Sequence, residues 1–122
     1  MFVWMKGNSF TKIATLNAGN ITLNTSCQQY FSENNWCVIG IDNKEKKVAI
    51  KTVSNEDVKN NKYTPDILNK VSIGKSYVRI SNMRIMQEIS KLLNIKLNKQ
   101  KFFVYYDDKD HQLIVDLTNQ IN

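Results

Sequence analysis

Trp36-Cys37-Val38-Ile39-Gly40-Ile41-Asp42, five polar or charged residues, then Val48-Ala49-Ile50 is the stretch that decides the fold, because it occurs twice. Residues 101–115 read Lys-Phe-Phe-Val-Tyr-Tyr-Asp, five polar or charged residues, then Leu-Ile-Val. A constant offset of 65 carries Asp42 onto Asp107 and Val48-Ala49-Ile50 onto Leu113-Ile114-Val115. Each copy has the form strand, solvated turn, strand, which is a β-hairpin. Internal repetition outranks every other sequence signal for fold, so the chain is best divided by it.

Upstream of each hairpin the likeness continues at an offset of 57. Ile21-Thr22-Leu23-Asn24 and Val78-Arg79-Ile80-Ser81 alternate apolar and polar residues, the pattern of half-buried strands. Asn24 and Ser81 are small polar residues suited to capping a helix. A short helix is predicted over Thr25–Phe31. A longer one is predicted over Asn82–Leu93, where Ile85, Ile89, Leu92 and Leu93 share a face. The expected layout is one domain over residues 1–122. It has a first strand–helix–hairpin repeat at 19–53, a polar connector at 54–74 and a second repeat at 75–117. Within the connector, Pro65 after Thr64, with Ile67, Leu68 and Val71, predicts a short amphipathic helix. A further strand is expected around Lys12–Leu16. The fold class is α+β, rich in β.

These units resemble the AbrB/MazE/MraZ-type swapped-hairpin DNA-binding family. That family's pattern runs Gly-Arg-Ile-Thr-Leu-Pro, then Leu-Arg, then Leu-Gly-Ile and a hairpin. Gly19-Asn20-Ile21-Thr22-Leu23-Asn24, Cys27-Gln28 and Phe31-Ser32 follow it without a gap. Val78-Arg79-Ile80-Ser81 and Leu93-Asn94-Ile95 follow it around a longer helix. Asn24 and Ser81 stand where the family has proline. The resemblance covers about 80 of the 122 residues. It implies two units closing one swapped-hairpin-like barrel as an intramolecular pseudo-dimer, and it implies a transcriptional regulator.

Charge points the same way. The chain carries 17 Lys+Arg and 11 Asp+Glu, net +6. Residues 75–105 alone are net +6, whereas 106–122 are net −3. Arg79, Arg84, Lys91, Lys96, Lys99 and Lys101 are therefore the candidate contacts to double-stranded DNA, able to neutralise phosphates in a salt-dependent way. Arg79, Arg84 and Lys91 are expected to make the main contact, and Lys96, Lys99 and Lys101 to hold the backbone. The alternative is a non-enzymatic interaction module, an inhibitor, adaptor or antitoxin-like protein from a mobile element. Phe2, Val3, Trp4 and Met5 would then form its docking segment. A homo-oligomer is compatible with either.

Other chemistry has little support. There is no Gly-rich phosphate loop. His111 falls in a turn beside Asp108 and Asp110, a poor setting for acid–base work. Asp107, Asp108 and Asp110 lack the glycine and final glutamate of a calcium loop. Cys27, Cys37 and His111 do not have zinc-site spacing, so no metal or cofactor is expected. The thiols fit a small apolar role and a cytoplasmic protein. No apolar run reaches the length of a membrane span, and the start lacks a secretory leader's charge and length. No enzymatic activity is predicted.

Overall fold

A computed structural model describes residues 1–4, 11–31 and 36–121. Its core is a closed antiparallel barrel of eight strands. In chain order these are β1 (Ile13–Asn17), β2 (Asn20–Asn24), β3 (Trp36–Asp42), β4 (Lys47–Val53), β5 (Asn69–Ile73), β6 (Tyr77–Ser81), β7 (Asn98–Asp107) and β8 (Gln112–Ile121). A six-residue 3-10 helix, Thr25–Tyr30, follows β2, and a five-residue helix α1 (Asn55–Lys59) follows β4. Helix α2 (Met83–Leu93) follows β6.

Around the barrel the strands run β1-β2-β6-β5-β3-β4-β8-β7. Exchanging the first four strands with the last four returns the same ring. Two pairings lie on the axis of that exchange. Thr22 pairs with Arg79, and Ala49 pairs with Ile114. In each pair the residues occupy equivalent positions in the two halves, 57 and 65 residues apart. With eight strands, β2 and β6 lie diametrically opposite β4 and β8, so the two pairs mark opposite faces.

The hairpins explain their own turns. Asp42 Oδ1 accepts the N–H groups of Lys44 and Glu45, at 3.0 and 2.9 Å. Asp107 Oδ1 accepts those of Lys109 and Asp110, at 3.1 and 3.4 Å. Such Asx turns offer the backbone a partner where the ladder stops. Each turn then needs one left-handed residue, and Lys46 (φ 56°) and His111 (φ 52°) supply it at the same offset of 65. His111 therefore has a turn role.

Alternation sends Ala14, Leu16, Ile21, Leu23, Val48, Ile50, Val78, Ile80, Phe102, Leu113 and Val115 into the barrel, all essentially buried. Cys27 and Phe31 from the first helical stretch, and Met86 and Ile89 from α2, join the same core. Burial pushes the thiol of Cys27 up to about 11 and that of Cys37 up to about 12, which leaves both as protonated, unreactive packing groups at neutral pH.

Three expectations require correction. The connector 54–74 is not one: Asn69–Ile73 is barrel strand β5, and the predicted helix through Val71 stops at a single 3-10 turn, Pro65–Ile67. Val71 and Asn69 are buried at alternate positions, so strand periodicity wins over the helical spacing of Ile67, Leu68 and Val71. The 19–53 and 75–117 boundaries thus omit β1 and β5 and cut β8 short. Capping also differs. Ser81 is the last residue of β6, and Asn82 caps α2, its Oδ1 accepting Ile85 N–H at 3.1 Å. Asn24 caps nothing with its side chain. It acts as a strand mimic instead, accepting Ile13 N–H at 3.1 Å and donating to the Thr11 carbonyl at 2.6 Å.

Candidate nucleic-acid interface

Strand registers set a row of outward side chains across one face. Lys101 pairs with Thr15, Thr15 with Thr22, Thr22 with Arg79, and Arg79 with Ser72. Neighbouring strands are about 4.8 Å apart, so the backbones of Lys101 and Arg79 are about 14 Å apart along this row. The Arg79 Nε–H donates to Thr22 Oγ1 at 3.3 Å, and its guanidinium carbon lies 4.8 Å from the centre of the Tyr77 ring. Stacking on an aromatic face suits a planar, weakly hydrated cation and holds it against the sheet. β1, β2, β5 and β6 contain no acidic residue, and besides Arg79 their one charged residue is Lys70.

Helix α2 carries the second group. Its N-terminus is capped by Asn82, whose amide also donates to Asn69 Oδ1 at 2.7 Å. Asn69 is buried, so this bond ties the helix start to β5. At the other end Asn94 takes a left-handed φ of 53°, and the Ile95 N–H returns to the Ser90 carbonyl, a Schellman-type stop. Between these caps Arg84 and Lys91 are exposed on one side, two turns or about 10 Å apart. Arg84 stands in a first turn that has no acidic residue, where the helix dipole disfavours a cation.

The six predicted residues therefore form three groups. Arg79 and Lys101 share the sheet face. Arg84 and Lys91 share the exposed side of α2. Lys91 also meets Lys96 at a groove of about 350 Å³ whose other walls include Ala18, Met83, Met86 and Leu97. Lys99 stands apart, with a left-handed φ of 63° beside the irregularity in the β1–β7 pairing. Among the described residues only Lys91 of the six makes an ion pair, with Glu88 at 3.7 Å. Sequence reading missed Lys70. It is exposed on β5, one step along from Ser72, and the mistaken helix hid the alternation that would have placed it outward.

The remaining candidates stay separate from this surface. His111 is exposed at the rim of a cavity of about 240 Å³ that also touches Tyr30, Tyr106 and Thr52. The rings of Tyr30 and Tyr106 stack there at 4.3 Å. Phe103 and Tyr105 point outward, 38 % and 45 % exposed, while Phe102 and Val104 are buried. No group of three or more His, Cys, Asp or Glu among the described residues could hold a metal ion. No helix among them is long and apolar enough to cross a membrane. Met1 to Trp4 are exposed, and Met5 lies outside the described residues. Compared with known protein families, curated proteins and solved structures, the chain matches none.

Proposed function

We propose that this chain binds double-stranded DNA as a tandem, pseudo-dimeric barrel of the swapped-hairpin type, and that it acts as a transcriptional regulator. The observation that carries the reading is the acid-free face of β1, β2, β5 and β6, with Arg79 on the axis of the strand exchange and Lys70 and Lys101 beside it. Arg84 and Lys91 extend the positive surface along α2. A surface with a positive excess on adjacent elements attracts a polyanion and repels basic proteins. Arginine adds a fork that can bond the acceptor edge of guanine, whereas lysines supply sequence-independent phosphate contacts.

The test is binding of the purified chain to random duplex DNA, single-stranded DNA and RNA across a salt series. Duplex binding should weaken steeply with salt, and each phosphate contact removed by substitution should lower the log–log slope by about 0.9. Absence of duplex binding at low salt refutes the proposal. One observation favours a second reading, a protein-binding module. Phe2 and Trp4 are 87 % and 91 % exposed, unusual for side chains of that size. Binding through them would persist at high salt and fail in a Phe2→Ala, Trp4→Ala variant.

A further inference from the structure

Among the described residues nothing requires position 40 to be glycine. It lies in the interior of β3, where the register with β4 runs unbroken from Trp36 to Asp42. Its φ is not positive, and no described atom lies within 4 Å of where a Cβ would stand. Glycine weakens a strand, and it is used there for a bulge, a bend or the close approach of another body. The unbroken register leaves no bulge here. The missing side chain opens a depression of about 290 Å³ on the outer surface, floored by Gly40, Ala49 and Ile114 and edged by Asp42 and Lys47.

This depression is one end of a second row. Gly40 pairs with Ala49, Ala49 with Ile114, and Ile114 with Tyr105. The row therefore runs small, small, large, large across β3, β4, β8 and β7. A second copy laid face to face, about a two-fold axis parallel to the strands and between β4 and β8, presents the same row reversed. Tyr105 of each copy then meets Gly40 of the other, and Ile114, already nearly buried in its own chain, lies opposite Ala49. Beside it, Lys47 and Asp116, neighbours across the β4–β8 ladder, are exchanged by the same axis. Each Lys47 faces an Asp116. Size and charge thus complement their own reverse, which is the requirement of an isologous interface.

We propose that the β3-β4-β8-β7 face is a homodimer interface in which Tyr105 of each copy fills the depression over Gly40 of the other. The Arg79 face lies on the opposite side of the barrel and stays free, so the proposal stands independently of DNA binding. Apolar residues between opposed charges give such a contact both its driving force and its register.

Sedimentation of the full chain over a concentration series tests it. The wild type should show a reversible monomer–dimer equilibrium. Gly40→Trp, which extends into open space and should leave the circular dichroism unchanged, should weaken dimerisation at least about tenfold by filling the depression. Lys47→Asp and Asp116→Lys should each be monomeric, the first opposing acid to acid and the second base to base. Mixed in equal amounts they should pair, because every opposed couple is again of opposite sign. A wild type that stays monomeric overturns the proposal. So does a folded Gly40→Trp variant that dimerises like the wild type, or a mixture that does not associate.

Discussion

The segments after β2 and β6 leave equivalent strands and do different things. The first, Thr25–Tyr30, is one short 3-10 helix with no basic residue in its last turn and an uncapped start. The second, Met83–Leu93, is an α-helix of eleven residues with side-chain and left-handed caps at its two ends. Both drop apolar anchors into the barrel: Cys27 and Phe31 from the first, Met86 and Ile89 from the second. Anchoring therefore belongs to the frame, and length and charge are additions to one half. The added residues of α2 are what give it an exposed side for Arg84 and Lys91.

Removing the anchors should break this comparison most severely. Phe31 and Ile89 are fully buried. Phe31→Ala should cost about 3–5 kcal/mol and Ile89→Ala about 2–5 kcal/mol in urea unfolding. If Ile89→Ala costs under about 1 kcal/mol, α2 is an appendage and its likeness to the first segment is superficial.

The two asparagines should separate the halves more finely. Asn82→Ala removes a cap and leaves the buried Asn69 amide oxygen without its donor, at a cost of about 2–3 kcal/mol. Asn82→Asp keeps the cap and places negative charge at a helix N-terminus; these gains offset the repulsion between its second carboxylate oxygen and Asn69 Oδ1, so it should cost less than the alanine variant. At position 24 the order reverses. Asn24→Asp sets a carboxylate against the Thr11 carbonyl, so it should cost at least as much as Asn24→Ala. Matching orders at the two positions would show that Asn24 caps its helix in solution.

The thiols give a pH test confined to the first half. Unfolded, both ionise near the ordinary value of 9.0; folded, they do so only near 11 and 12 because they are buried. Above pH 9 the unfolded chain thus binds fewer protons than the fold, and stability falls as pH rises. The contribution is intact below about 9 and is lost toward 11 and beyond. Each thiol should add a slope of up to about 1.4 kcal/mol per pH unit in that window. Denaturant unfolding of Cys27→Val and Cys37→Val at pH 8 and 10 should show the slope reduced for each.

Much of this frame is legible in the sequence. The hairpins are, because Asp42 and Asp107 each build an Asx turn from side-chain oxygen and local backbone, a short-range event. Ile85, Ile89, Leu92 and Leu93 announce α2 for the same reason. β5 is not legible. Asn69 is buried through a bond to Asn82, thirteen residues on, and a buried asparagine reads as a loop residue in sequence. The charged surface was read as one patch because sequence order gives charge but not strand neighbours. Register joins Lys101 to Arg79 through Thr15 and Thr22, and it leaves Lys99 at a bulge.

The smallest effect on stability should come from the axis of the exchange, where the first half has Thr22 and the second has Arg79. Thr22→Arg would make the two halves equal at that point. The position is outward and half-buried, so the change should stay within about 0.5 kcal/mol, less if Tyr77 and solvent separate the guanidiniums. On the DNA reading, a second guanidinium beside the first adds one phosphate contact and steepens the log–log salt slope by about 0.9. Arg79→Thr, which equalises the halves the other way, should flatten it by as much. If both variants leave the slope unchanged, the sheet face does not touch DNA, and any binding must come from Arg84, Lys91 and the groove beside Lys96. Charge in one half alone would then serve α2 and not the axis, and the asymmetry of the halves would have its cause in the helix.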